Sequence, residues 1–280
     1  MDLNVIKERL ASLNTQQPQS GGGQKKNLFW KPSIGKQTVR IVPSKFRPEF
    51  PFTEMMFYYG IGQRVIASPA NWKQKDPIME FAKQLRQSND RENWRLAKKL
   101  DPKTRIFAPV VVRGEEDKGV RLWQFGKLIY EELLSLAVDE EIGDYTDIVN
   151  GRDLTIETVG PESTGTNYNK SSVRVRLKQS PLSEDAALVE KWTKEQPDPT
   201  KEFKRFTFDE MKTALEKWLS PEEGEEGDII SEPAVEFDGK PEPSKFQLDT
   251  SKAKKTKEDK FDSLFDENSQ VEDKHDDLPF

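Results

Sequence analysis

Apolar and polar positions alternate in several short stretches between residues 37 and 177. A two-residue period marks strands with one buried face. Residues 37–42 set Val39 and Ile41 against Thr38 and Arg40. Residues 55–61, 105–112, 120–125 and 154–159 continue the series, and in 173–177 Val173, Val175 and Leu177 oppose Arg174 and Arg176. A helical period replaces alternation over 127–138, where Leu128, Ile129, Leu133 and Leu136 form a stripe, and again over 78–85. Two more helices are predicted at 183–194, which opens on Ser and acids, and at 207–219, where Thr207 and Glu210 have capping-box spacing and Pro221 marks the end. Five or six short strands around one helix predict a chain that is mainly β with helices. Its core would be an OB-fold-like barrel carrying an accessory helical subdomain.

The ends read differently. Leu3, Ile6, Leu10 and Leu13 fall on one face of a short amphipathic helix within residues 1–17. Residues 16–24, with Pro18 and three consecutive glycines, read as a flexible linker. A tethered helix this short needs something to dock on, either its own core or a neighbouring copy. From about residue 220 no period remains, and Pro, Glu, Asp, Lys and Ser predict a disordered tail. The expected division is an arm and linker at 1–24, a folded core at 25–220 and an acidic tail at 221–280.

Charge sharpens this division. The net charge of −6 hides a basic block: residues 25–125 carry 21 Lys and Arg against 10 Asp and Glu, a net of +11. Residues 126–218 carry a net of −6, and residues 219–280, with 19 acids and 8 bases, a net of −11. A basic block beside an acidic tail suits a polyanion binder. Residues 25–130 also hold 15 of the 27 Phe, Trp and Tyr, several beside cations, as in Phe29-Trp30-Lys31, Trp72-Lys73, Trp94-Arg95 and Arg121-Leu122-Trp123. Basic grooves interleaved with aromatics suit single strands, because every base offers a face to stack on.

Other chemistries find little support. With no Cys, disulfides and thiolates are excluded. The only His, His275, lies in the tail, so Ser–His and Cys–His nucleophile systems are absent. The stretch Gly21-Gly22-Gly23-Gln24-Lys25-Lys26 lacks the spacing and preceding strand of a phosphate-binding loop. Glu115-Glu116-Asp117 falls in a hairpin turn, where solvation explains it. No enzyme is expected, with a carboxylate-built metal nuclease as the remaining enzymatic alternative. No apolar run reaches 18 residues, and the first residues lack a signal-peptide layout, so a cytoplasmic protein with no membrane partner is expected.

Three segments carry a family resemblance. Gln37-Thr38-Val39-Arg40-Ile41-Val42-Pro43-Ser44-Lys45 looks like a first barrel strand with its Pro-Ser-Lys end. Lys103-Thr104-Arg105-Ile106-Phe107-Ala108-Pro109-Val110-Val111-Val112 is similar to a basic-aromatic strand. Arg121-Leu122-Trp123-Gln124-Phe125-Gly126-Lys127 matches a strand-to-helix step. In this order they resemble the T-even-phage-type single-stranded-DNA-binding, or helix-destabilising, proteins, over about residues 28–218. The resemblance implies an OB-fold that stacks bases on Trp94, Phe107, Trp123, Phe125 and Tyr168. It also implies an N-terminal arm that links neighbouring copies (Leu3, Ile6, Lys7, Arg9 and Leu10) and a tail that recruits replication and recombination proteins of the phage within the host cytoplasm.

Two departures stand out. The family holds a structural zinc through three Cys and a His. Here the Cys-Pro-x-Cys position reads Asp76-Pro77-Ile78-Met79, with Tyr59 near the position of the His. No zinc or other cofactor is expected, and apolar packing around Ile78, Met79 and Phe81 would replace it. The arm's basic run is reduced to Lys7-Glu8-Arg9 with Ser12. The tip Asp276-Asp277-Leu278-Pro279-Phe280 instead looks like the partner-docking tip of bacterial single-strand-binding proteins.

The expected mechanism is sequence-independent coating of single-stranded DNA in replication, recombination and repair. Lys98, Lys99, Lys103, Arg105, Arg113 and Arg121 would neutralise phosphates, and the acidic tail would compete for the groove. Trp123→Ala would then cost affinity without unfolding the core. The alternatives are a protein-interaction adaptor with the tail as a docking peptide, and an RNA-binding barrel.

Overall fold

Alternation becomes strand wherever one face can be buried, and the computed structural model, which describes residues 28–62, 65–88 and 90–219, shows where. In chain order the strands are β1 (Phe29–Trp30), β2 (Gly35–Ile41), β3 (Thr53–Tyr58) and β4 (Ile66–Ala67), then α1 (Pro77–Gln87) and α2 (Arg91–Lys99). Next come β5 (Lys103–Val112), β6 (Arg121–Phe125), α3 (Lys127–Val138), β7 (Arg152–Val159), the single turn α4 (Pro161–Thr164) and β8 (Lys170–Gln179). Last are α5 (Ala186–Lys194) and α6 (Phe208–Leu219). The strands and helices predicted between residues 37 and 219 all appear, with ends shifted by a few residues, while the helix predicted within residues 1–17 lies outside the described residues. Helix α2 was not foreseen, because its apolar positions are few. Asp90 caps it by accepting from the Glu92 N–H, and Asn93, Leu96 and Ala97 are its buried face.

The strands form one mixed sheet in the order β1-β6-β5-β2-β7-β8, with β3 paired to β5 and β4 to β3. The expected closed barrel is not seen. The two path ends, β1 and β8, are not paired with each other, and β1 takes the free edge of β6 in parallel register, Phe29 opposite Leu122 and Trp30 opposite Trp123. The inner face buries Val39, Ile41, Ile106, Val110, Trp123, Phe125, Leu154, Ile156 and Val173 against Ile129 and Leu133 of α3. The outer face of β5 carries Phe107 and Val111, each in a different smaller cluster.

The last two helices, neighbours in sequence, pack in different clusters. Trp192 of α5 packs with Val42, Val111 and Leu182 on the sheet. Met211 and Leu215 of α6 pack instead with Ile78, Phe81 and Leu85 of α1 and Leu96 of α2. Chain crossing between α5 and α6 thereby ties the helical subdomain to the sheet.

Two buried polar hubs hold the framework. Arg40, wholly buried, donates to Asp153, to the Asp147 carbonyl and to the Ser180 carbonyl at 2.6 Å, while Arg113 grips Asp153 through Nε and Nη2. Burial pulls the Arg40 guanidinium below its ordinary value, and Asp153 opposes that shift. The second hub is Asp76. Its carboxylate accepts from Ser68 Oγ at 2.5 Å, Tyr58 Oη at 2.8 Å and the N–H groups of Ile78 and Met79 at 3.0 and 3.2 Å. It joins the end of β3 and the residue after β4 to the start of α1, and burial beside it raises the Tyr58 hydroxyl far above the usual phenol value.

Candidate nucleic-acid interface

Helix α2 runs into β5 through residues 100–102, and this passage assembles cations and rings from distant parts of the chain. Its amphipathic turn buries Leu96 and Ala97 and leaves Trp94 outward, 52% exposed. Lys98, one turn later, places Nζ 5.7 Å from the Trp94 ring centroid, the i, i+4 geometry of a helix surface. Lys99 beside it is exposed. At the start of β5, Lys103 Nζ and Arg105 Cζ lie 5.5 and 5.2 Å from the ring centroid of Tyr59, just past the end of β3. Strand pairing makes this meeting possible, since Phe57 lies opposite Lys103 and Met55 opposite Arg105.

A third ring-and-cation pair comes from the segment between α5 and α6. Arg205 Cζ lies 5.1 Å from the Trp72 ring, and the Trp72 indole N–H donates to the Thr200 carbonyl at 3.2 Å. The same segment inserts Phe203 among Phe57, Phe107 and Phe29, at centroid distances of 4.8, 5.5 and 5.9 Å. The cations Lys98, Lys103 and Arg205 thus border the rings of Trp94, Tyr59 and Trp72 respectively, with Lys99 exposed beside Lys98. Such a surface offers point charges for phosphates and faces for bases.

A family model described as "gp32 DNA binding protein like" matches residues 34–220. The chain belongs to that family. Its match spans the sheet from β2 onward, the helical subdomain and the segment bearing Phe203 and Arg205. No curated protein matches the chain.

Within this gp32-like domain the predicted site residues separate into two groups. Trp94, Lys98, Lys99 and Lys103 lie at or near the surface, Lys98 against the Trp94 ring and Lys103 against the Tyr59 ring. Phe107, Trp123 and Phe125 do not join them: they are 0%, 1% and 1% exposed and belong to the core. Trp123 packs on Trp30 and Phe125 at 5.6 and 4.5 Å, and all three rings face inward or lie beneath Phe203, so none offers a face to a base. Arg113 and Arg121 are committed to carboxylates, Arg113 to Asp153 and Arg121 Nη2 to Glu115 at 2.5 Å, which holds Glu115 below the usual carboxylate range. Arg105, 5% exposed, donates from Nε to Tyr59 Oη at 3.1 Å and positions that ring rather than meeting solvent. Glu115, read as a solvated turn acid, therefore has a structural partner. Tyr168 lies half-buried in the loop before β8, at the opposite edge of the sheet from β3.

Tyr59, Trp72, Phe203 and Arg205 were missing from the predicted site. Residues 201–206, Lys201-Glu202-Phe203-Lys204-Arg205-Phe206, do interleave cations and rings, but they sit in the net-acidic stretch and the summed charge conceals them.

The residues at the family's zinc position do not fit that metal. Asp76 brings one carboxylate, whose oxygens are taken by four donors, and Ile78 and Phe81 are buried hydrophobes. Met79, expected in the replacement packing, is 39% exposed. Among the described residues no group of three or more His, Cys, Asp or Glu is placed to hold a metal ion, and no helix is long and apolar enough to cross a membrane. The arm residues Leu3, Ile6, Lys7, Arg9 and Leu10 and the tip residues Asp276, Asp277, Leu278, Pro279 and Phe280 lie outside the described residues.

Proposed function

We propose that this chain coats single-stranded DNA without reading its sequence, in the replication, recombination and repair of phage DNA in the host cytoplasm, and that it is not an enzyme. The observation that carries the proposal is the pairing of cations with exposed or half-buried rings, Lys98 with Trp94 and Lys103 with Tyr59. Lys98, Lys99, Lys103 and Arg205 meet phosphates and release counterions; Trp94, Tyr59 and Trp72 stack bases. The connectivity β2-β5-β6-α3-β7-β8 supports an OB-fold-like unit, opened where β1 occupies the β6 edge. A hydrogen-bonded carboxylate at Asp76 does the clipping that zinc does in the family. The arm links copies along the strand. The tail, net −11 against the +11 of the basic block, occupies the surface when DNA is absent, and DNA frees its tip for replication and recombination proteins.

Titration with oligo-dT tests this reading. Binding should quench tryptophan fluorescence, chiefly from Trp94 and Trp72, because Trp30, Trp123 and Trp192 are buried. Three to six neutralised phosphates predict an affinity loss of about 10- to 300-fold between about 50 and 200 mM salt. Equal affinity at both would remove the electrostatic mechanism, and absence of quenching would favour the protein-interaction adaptor. Trp94→Ala and Tyr59→Ala should each weaken binding by about 1–3 kcal/mol if a base stacks there. A chain ending at residue 220 should bind more tightly; unchanged affinity and salt slope would reduce the tail to a tether.

A further inference from the structure

The far edge of the sheet carries cations that the surface around Tyr59 does not use. Val173 and Val175 of β8 face the inner core, so Arg174, Arg176 and Lys178 alternate outward. On β2 the matching outward positions are Lys36 and Thr38, opposite Glu157 and Thr155 of β7. Glu157 meets Lys36 at 3.6 Å and Arg174 at 3.7 Å. Arg176 donates only to neutral groups here, Thr38 Oγ1 at 3.1 Å and Thr155 Oγ1 at 3.5 Å. Of the four cations Lys36, Arg174, Arg176 and Lys178, Glu157 meets two, and Asp153, the other carboxylate on this side of β7, is taken by Arg40 and Arg113.

Lys36, Thr38, Arg113, Glu115 and Arg176 line an open hollow of about 480 Å³ at this edge. No aromatic ring lies on the outward positions of β2, β7 or β8. Such a face can hold a phosphate backbone but cannot stack bases. Strand β5 connects it to the first surface: Lys103 opens the strand, and Arg113, just past its end, borders the hollow. Ten extended residues separate the two by roughly 34 Å, the length of about ten stacked nucleotides.

We infer that the outer face of β2, β7 and β8 is a second contact for the phosphate backbone of the same single strand, reached only by strands longer than about ten nucleotides. The inference rests on single-strand binding at the first surface. The test compares the full chain with a variant carrying Arg174→Gln, Arg176→Gln and Lys178→Gln, using a dT hexanucleotide and a dT strand of about 25 nucleotides. Hexanucleotide affinity should stay within about twofold, while the longer strand should bind at least about tenfold more weakly at low salt and lose about 2 from the slope of log K against log salt, at about 0.7 for each of three charges. An unchanged slope and affinity for the longer strand overturns the inference, and so does an equal loss on both lengths. Lys36→Gln with Lys178→Gln leaves the Arg176–Thr38 bond in place and should lower the slope by about 1.4; no change there counts against the inference even if the triple variant misfolds. If the unaltered chain binds neither strand, single-strand binding itself fails, and the inference with it.

Discussion

Trp123→Ala should destabilise the folded chain by about 3–5 kcal/mol and leave the affinity of the protein that remains folded unchanged. The indole is 1% exposed, sits opposite Ala108 on β5, and contacts Trp30 and Phe125. Its removal leaves a large cavity at the centre of the inner core, between the sheet and α3. Most of the cost is lost burial and lost packing of surrounding rings that cannot collapse into the space. The comparison needs two measurements on one preparation: urea unfolding followed by circular dichroism, and oligo-dT titration under conditions where the variant is folded. A stable variant that has lost binding would return Trp123 to the DNA surface. Trp94→Ala is the mirror experiment, since a ring 52% exposed on a helix can be truncated with little effect on unfolding while binding falls.

Asp76→Ala is expected to cost roughly 3–7 kcal/mol, by a different route. Truncation strands the Tyr58 and Ser68 hydroxyls, both buried, and removes the cap of α1. Each stranded buried donor costs about 1–3 kcal/mol, and a lost cap about 1 kcal/mol more. Asp76→Asn keeps the shape but turns one acceptor into a donor, so its loss should be intermediate. Hydrogen exchange locates the effect: amides of α1 and of β3–β4 should lose protection first, ahead of β2 and β7. Full protection in α1 with unchanged unfolding would show that apolar packing alone holds the subdomain. The prediction bears on function because Tyr59 and Lys103 sit where this subdomain joins the sheet.

Strands and most helices were legible because each has one buried face, and burial of one face writes a period into the sequence. Helix α2 was not, because its exposed positions are charged, its buried positions are few and one of them is Asn93. Basic clustering pointed correctly to the end of α2 and the start of β5. The same reasoning failed for Phe107, Trp123 and Phe125, since a cation two or four residues along a strand marks the same face as the ring, and here those faces are covered, by α3 on one side of the sheet and by Phe203 on the other. Arg121 and Trp123 show a further limit. They share the inward side of β6, yet one ends in an ion pair with Glu115 and the other in apolar packing.

The sequence by itself determined the alternating strands, the segregation of charge, and membership of a DNA-binding family through ordered motifs. These are properties of local period and composition, which a linear chain displays directly. Only the tertiary structure decided which rings are surface and which are core, that Asp76 gathers four donors, and that Phe203 and Arg205 return to the β3–β5 face. It also decided that β1 rather than β8 lies beside β6. Those outcomes depend on contacts between residues up to more than a hundred positions apart. Such contacts are set by packing and by the need to pair buried polar groups, and neither leaves a mark in the order of neighbouring residues.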